Sequence, residues 1–408
     1  MPQTAAVGRG GPLVGLRVLE LSSVLAGPYC AMVLADLGAD VIKVEPLDGD
    51  ATRGYGPPWI NPDAPASERS AVYFQSVNRN KRSLRLDLAS EGGREVVRRL
   101  IRKSDVLVEN FRPGGMDRIG LGDAALNELN PKLVRLSITG YGPEGPDSQK
   151  PGYDFVAQAV GGLMSVTGFP DAQGGQPTKL GVAITDIVTG LLGAVGVLAA
   201  LRSGVGQRID VSLLESTLAL LINQAHNAFA TGEQPPRLGN AHPNIVPYET
   251  FATADGEIVV AVGSERQWPK LCGELDLPEL ATDERFADNG ARVRNRDVLR
   301  PILAARLAEA DSTHWLHRLD EAGIPCGPVN SVLAAFEQPQ AVAREMRVEV
   351  EHPKLGRVPQ VGLPYKLSAT PASIRTAPPL LGEHSTEVLV EIGYSTAEIA
   401  ALRSGGVI

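Results

Sequence analysis

The sequence predicts an α/β protein: a mainly parallel sheet with helices on both faces, followed by a smaller α+β unit. Three observations carry that reading. Apolar runs of strand length alternate with helix-periodic segments through the first 145 residues. The texture then changes near residue 225, where NAFATGEQPPRLGNAHPNIVPY (227–248) is rich in Pro, Gly and Asn. A hairpin and at least two amphipathic helices follow, and 408 residues leave room for two sizeable cores.

Taken in order, GLRVLEL (15–21) reads as a buried strand, PYCAMVLADLGA (28–39) as a helix and DVIKVE (40–45) as a second strand. SLRLDL (83–88) alternates like a strand, EGGREVVRRLIRKS (91–104) is helical, and DVLVEN (105–110) and LVRLSITGY (133–141) are further strands. Beyond the Pro/Gly-rich stretch, YETFAT-ADG-EIVVAVG predicts a hairpin turning at Ala254–Gly256. Helices are expected over 298–310 and 312–323, then loops and short strands, and a closing helix from Ser395 to Arg403.

Composition narrows the function. A formal net charge of −8 excludes a general nucleic-acid binder. Basic residues do gather in VNRNKRSLRL (77–86) and REVVRRLIRK (94–103). On a helix they form a solvated face, whereas the loop from Asn78 to Arg82 has the composition to hold a small polyanion. The most apolar run, 187–201, is interrupted by Gly and ends at Arg202, so no membrane span is expected. The first fifteen residues lack the hydrophobic centre of a signal peptide, which makes the cytoplasm the expected location. Cys30, Cys272 and Cys326 lie far apart with no CxxC pair, so neither a metal site nor a disulfide framework is indicated.

The junction after the first strand, SSVLAGPYC, lacks the GxGxxG of a dinucleotide site, although Glu45 ends the second strand where a ribose-binding acid would stand. No GxxxxGK[ST], HExxH or GxSxG is present. His242 reads as a structural loop residue, and Cys326, between prolines in GIPCGP, as a structural thiol. What stands out is GVAITDIVTGLLGAVGVLAAL (181–201), where Asp186 is the single charge at the head of an apolar run. It reads either as a helix N-cap or as a carboxylate aimed at a substrate.

A series of long motifs bears on these readings, which do not exclude each other: a cap in the resting protein and a reactive carboxylate in turnover. GLRVLELSSVLAGPYCAMVLADLGADVIKVEP, SVNRNKRSLRLDL, DVLVENFRPGGMDRIGLG, SITGYGPEGP, GYDFVAQAVGGLM, GVAITDIVTGLLG, GIPCGPVN and PLLGEHS occur in register from about residue 12 to the end. Together they resemble the family III CoA-transferases, a family that includes the α-methylacyl-CoA racemases. GNAHPNIVPYETF and the pair SVNRNKRS/PGYD are most similar to the branch that moves CoA between succinate and other dicarboxylates, such as hydroxymethylglutarate or itaconate. The resemblance implies a Rossmann-like large domain built from both chain ends (1–227 and 326–408) around a small α+β domain (228–325). It also implies an interlocked homodimer.

The resemblance makes Asp186 the nucleophile, attacking acyl-CoA to give a mixed anhydride and then an aspartyl-CoA thioester. The thioester energy is retained throughout, so no cofactor is implied beyond coenzyme A itself, and the partners are acyl-CoA and carboxylic acid substrates. A helix N-terminus would keep Asp186 ionised, nearby backbone N–H groups would serve the oxyanion, and Gly181, Ala183 and Gly190 would leave room for the CoA arm. Residue by residue, Val24, Leu25 and Ala26 line the opening beside Asp186, and Leu86 the adenine pocket. Asn110 and Phe111 contact CoA at the carboxyl edge of their strand, and Arg118 meets a phosphate. Tyr153 and Asp154 flank the thiol end. Pro46 departs from the formate/oxalate branch, as does the missing glycine run, so the substrate is expected to be a larger dicarboxylate. Arg53 and the loop Asn240–His242 are candidates for its distal carboxylate. Two other classes of function compete: a racemase-type isomerase and a catalytically silent CoA-binding protein. The isomerase needs a His where Tyr153 stands, and the silent protein is argued against by the intact Asp186 segment.

Overall fold

Six strands pair in parallel into one sheet: β1 (Arg17–Leu21), β2 (Asp40–Glu45), β3 (Lys81–Arg85), β4 (Val106–Glu109), β5 (Val134–Thr139) and β6 (Arg208–Ser212). The structure, a computed structural model, describes residues 10–65 and 68–408. Most of the segment weighed above as a leader peptide therefore lies outside the described residues. The strand order is β3-β2-β1-β4-β5-β6, with Leu19 of β1 opposite Ile42 of β2 and Leu107 of β4. Such an order reverses direction between β1 and β4, and the chain leaves a crevice at the carboxyl ends of those two strands.

Helices that accompany the sheet include α1 (Ala26–Asp36), α2 (Glu91–Ile101), α3 (Gly115–Arg118), α4 (Asp123–Leu129), α5 (Asp154–Val160), α6 (Ile184–Ser203) and α7 (Leu213–Leu220). Because side chains alternate along a strand, the sheet buries two separate cores. Leu19, Ile42, Leu84 and Leu107 pack against α2 and the C-terminal helices Ser385–Glu391 and Thr396–Ser404. Val18, Val41, Val106 and Leu136 pack against α1 and α6. The closing helix begins as expected, on a capping box between Ser395 and Glu398. β6 carries no apolar run to betray it. It is an edge strand with Arg208 and Asp210 facing outward.

Among the described residues, α6 alone is long and apolar enough to cross a membrane, being longer than the 187–201 run suggested. One face of it belongs to the core, with Thr189, Gly190, Gly193, Ala194, Val197 and Ala200 buried. Its glycines set the distance to its neighbours. A Cβ on Gly190 would lie 2.6 Å from the Ala26 carbonyl oxygen, and one on Gly193 2.8 Å from Leu136 Cδ2. Gly190 is therefore small so that α1 can approach, which corrects the expectation that it makes room for the CoA arm.

The two basic clusters also resolve. On α2, Arg94, Arg98 and Arg99 pair with Glu91 and Glu95 on a solvated face. The Asn78–Arg82 loop holds no free cation for a polyanion. Arg79 is bound by Asp36 at 2.7 Å, Lys81 by Glu20 at 2.9 Å, and Arg82 by Asp40 at 2.7 Å.

A second unit comprises Gly162–Leu180 and Leu221–Gln338. The expected hairpin forms between Tyr248–Ala252 and Glu257–Ala261, closed by Thr253 N–H donating to the Gly256 carbonyl at 2.9 Å. A third strand, Cys326–Pro328, pairs with it, and the helices Gln267–Glu274, Arg296–Leu307 and Ser312–Glu321 complete a core around Trp268, Phe286 and Trp315.

Gly190→Ala places a methyl group against backbone that has no soft side chain to yield. Urea unfolding is expected to show a loss of about 1–3 kcal/mol, with Gly196→Ala, whose methyl group would meet only the Ile209 side chain, at 3.0 Å, costing less. An unchanged midpoint for Gly190→Ala would refute the close-approach account.

Candidate active site

The crevice between β1 and β4 is shaped by a turn that its own residues disfavour. After β1 the chain passes through Ser22 and Ser23 to Val24, whose φ of 69° places a β-branched residue in the left-handed region. Three groups hold it there. Asn110 brackets Ser23, its amide oxygen accepting from Ser23 N–H at 3.0 Å and its amide nitrogen donating to the Ser23 carbonyl at 2.8 Å. Asp50 accepts from Val24 N–H at 3.3 Å. Lys43 Nζ, fully buried, donates to the Ser22 carbonyl at 2.9 Å and pairs with both Glu20 and Asp50 at 2.9 Å. Burial works against the Lys43 charge, but these carboxylates raise its pKa above the ordinary lysine value.

The turn opens a cleft of about 200 Å³. Val24, Leu25, Ala26, Asn110, Phe111, Tyr153 and Asp186 all line it. A larger cleft of about 560 Å³ adjoins it, sharing Ser23, Asn110 and Phe111 and lined further by Leu86, Pro46 and Asp50. Two predicted residues, Arg118 and Asp154, are not among those lining either cleft. Arg118 is exposed on the four-residue α3.

Asp186 stands in the first turn of α6, behind the N-cap Ala183, and its carboxylate accepts no hydrogen bond among the described residues. The cap is supplied from another helix. Asp154 at the start of α5 accepts from Thr185 N–H at 2.8 Å and from Asp186 N–H at 3.4 Å, and its second oxygen accepts from Gln158 at 2.7 Å. The N-cap reading of Asp186 is thus corrected. Asp154 faces the helix end and is not among the cleft-lining residues, and it occupies N–H groups that the oxyanion reading had counted as available. The charge balance is corrected too. Burial, and then the Asp154 charge, push the Asp186 carboxyl up to about 7.

The candidates for a distal carboxylate are already engaged. Arg53 forms a two-pronged pair with Glu45 at 2.6 and 2.8 Å, stacks over Phe74 and donates to the Pro379 carbonyl, so it offers no free cation. In the second unit, Asn240 donates to Thr250, and His242 Nδ1 accepts from Asn244 N–H. Burial and then Arg296 lower the His242 pKa, so it is neutral at pH 7. Pattern reading passed over Lys43 and Asp50, although a Lys inside the apolar DVIKVE was a visible sign of a buried partner. It also stopped one residue short of Arg112, which lines the cleft together with Lys150.

The structure thus presents an unpaired, half-buried carboxylate at a cleft beside the switch point of a doubly wound sheet. The chain belongs to the CoA-transferase family III, whose sequence profile matches residues 13–385. It is 44% identical to the succinate–glutarate CoA-transferase of Agrobacterium fabrum over 94% of this chain and 96% of that one. It is 40% identical to the acetyl-CoA:oxalate CoA-transferase of Acetobacter aceti, over 90% and 92%. Among solved structures, a CaiB/BaiF family protein from Brucella suis superimposes with a TM-score of 0.82 at 44% identity, covering 94% of this chain and all of that one.

Raising the Asp186 pKa penalises its ionised form in the folded chain. The penalty is absent below the unfolded value near 3.8, grows as pH rises, and is complete above about 7. Asp186→Asn is therefore expected to be more stable than the parent by up to about 3 kcal/mol above pH 7 and no more stable at pH 4, in denaturant titrations across pH. In an Asp154→Asn background, which keeps the cap acceptor but removes the charge, the gain should shrink. A gain independent of pH would contradict the raised pKa.

Proposed function

We propose that this CoA-transferase moves CoA from succinyl-CoA to a second dicarboxylate through a covalent intermediate on Asp186. The observation that carries the reading is the Asp186 carboxylate itself, partly desolvated, unpaired and facing a cleft continuous with a larger one. A carboxylate freed of hydrogen bonds is a better nucleophile than a solvated one, and a pKa near 7 leaves about half of it ionised at neutral pH.

In the proposed cycle an Asp186 oxygen attacks the thioester carbonyl. The C–S bond breaks, and CoA leaves as a thiolate from the mixed anhydride. The thiolate then attacks Asp186 Cγ, forming the aspartyl-CoA thioester and releasing the donor acid as its carboxylate. The acceptor carboxylate attacks the same carbon, the thiolate leaves again, and it closes on the acceptor's acyl carbon. Asp186 is regenerated as the anion, and no proton is consumed.

CoA would lie along the two clefts, the thiol at Asp186 and the adenine toward Leu86. Asn110 and Phe111 form the shared wall, and Tyr153 the rim. Arg118, exposed beyond the wall, is proposed to reach a phosphate. The homodimer is supported by large apolar side chains left in solvent on adjacent helices. Phe155 on α5, Leu191, Leu192 and Val195 on α6 and Leu218 on α7 are 40–63% exposed, an unusual concentration for a lone chain. A cytosolic setting accords with three unpaired cysteines, two of them buried.

Asp186→Ala is expected to abolish transfer, by 10⁴-fold or about that, while CoA binding measured by calorimetry persists. Hydroxylamine added after acyl-CoA should leave a hydroxamate on Asp186 of the parent enzyme, read by peptide mass spectrometry. Substantial turnover by the variant would remove the covalent mechanism.

On substrate, succinyl-CoA should exceed butyryl-CoA as donor by at least about tenfold in kcat/KM, the worth of one charge-assisted hydrogen bond. Equal use of the two would defeat the dicarboxylate reading. Rapid deuterium exchange into 2-methylacyl-CoA in heavy water would favour the isomerase instead.

A further inference from the structure

We infer that Lys81 is a positioning residue for the transfer reaction: it ties the first turn of α1 to the buried charges beneath the β1–α1 turn, and so holds that helix end against the part of α6 that carries Asp186. The inference rests on the reading of Asp186 as nucleophile. The first turn of α1 has little of its own to fix it. No side chain caps the helix, and no acidic residue stands in its first turn. Yet Leu25 and Ala26 line the cleft beside Asp186, and the helix end meets α6 closely. A Cβ on Gly190, one turn beyond Asp186, would lie 2.6 Å from the Ala26 carbonyl oxygen and 3.2 Å from the Cys30 nitrogen. In packing this tight, a small shift of α1 is felt at the start of α6.

Lys81 supplies the missing hold. It is fully buried, and its ammonium donates to the Pro28 carbonyl in the first turn of α1 and to Asn78 Oδ1, both at 2.8 Å. It also pairs with Glu20 Oε2 at 2.9 Å. Glu20 Oε1 accepts from Lys43 at 2.9 Å and from Ser22 Oγ at 3.2 Å. Lys43 pairs with Asp50, and Asp50 accepts from Val24 N–H. The contacts thus run from Pro28 through Lys81, Glu20, Lys43 and Asp50 back to Val24, closing a ring around the segment that forms the cleft wall. Two anions and two cations balance within it.

Raising the pH opens this ring at Lys81. Burial, opposed by the Glu20 charge and reinforced by the like charge of Lys43, brings the Lys81 pKa down to about 8. The groups that face it are Glu20 from β1, Lys43 from β2, Asp50 from the loop that follows, Asn78 beside it, and Pro28 and Cys30 from α1. Cys30 stays a neutral thiol, since burial pushes its pKa up to about 12. Lys81 therefore offers three N–H donors to three acceptors below about pH 8, and only two above it.

The test compares the parent enzyme, Lys81→Met and the charge-balanced pair Glu20→Gln/Lys81→Met. Exchange of labelled succinate into succinyl-CoA gives kcat across pH, hydroxylamine trapping times acylation of Asp186 in single turnovers, and calorimetry gives CoA affinity. In the parent, kcat should fall at least about tenfold between about pH 7.5 and about pH 9.5. Both variants should be at least about tenfold slower than the parent near pH 7.5, in kcat and in trapping alike, and should lack the alkaline fall. CoA affinity should stay within about threefold of the parent throughout. A parent that leaves no hydroxamate on Asp186 overturns the nucleophile reading and this inference together. With trapping intact, a parent kcat that holds steady to about pH 9.5 overturns the inference alone, without recourse to any variant. So does an alkaline fall that persists in the paired variant. Loss of kcat and CoA affinity in proportion also overturns it, since Lys81 would then support the fold and nothing more.

Discussion

Lys43 lies out of water beneath the turn that joins β1 to α1, and its ammonium is shared among the Ser22 carbonyl, Glu20 and Asp50. Much of the site hangs on this arrangement. Asp50 in turn accepts from the N–H of Val24, whose left-handed backbone costs about 1–3 kcal/mol on its own. Removing one member of a buried ion pair leaves the other uncompensated, typically at about 3–5 kcal/mol. The network can therefore hold the strained turn against relaxation. Asn110, from the next strand, grips the same turn on its other side. The cleft wall is thus pre-organised before substrate arrives, its backbone conformation fixed by a buried network of charges.

A similar division of labour governs the carboxylate at the head of α6. Asp154 takes the capping role and leaves Asp186 uncommitted. That separation has an electrostatic consequence. The anion that satisfies the helix end also repels the Asp186 charge, and together with burial it keeps Asp186 near neutrality. Folding bears the cost of a carboxylate held away from water, which is a common expense of reactive sites.

The cations of the unit follow the opposite pattern. Arg53, Arg79, Lys81 and Arg82 look available in sequence and are all committed to internal carboxylates. Arg112, which lines the Asp186 cleft, has no ion pair among the described residues. Which basic residue can meet a ligand is thus decided by subtraction, once every internal pair has been formed.

Strand and helix periodicity made the parallel sheet, α1, α2 and the hairpin legible without coordinates, because buried strands need continuous apolar runs and amphipathic helices need a 3.6-residue repeat. The family motifs, Asp186 among them, were equally plain, since their information lies in residue identity and order along the chain. β6 was not legible, because an edge strand with one solvated face carries no apolar run. The roles of individual charges were hidden for a deeper reason. Whether Asp186 caps its own helix, whether Arg53 is free and why Gly190 has no side chain depend on Asp154, Glu45 and Ala26, residues 32, 8 and 164 positions away along the chain. Pairing and close packing are properties of positions in space, and only the tertiary structure brings those partners together.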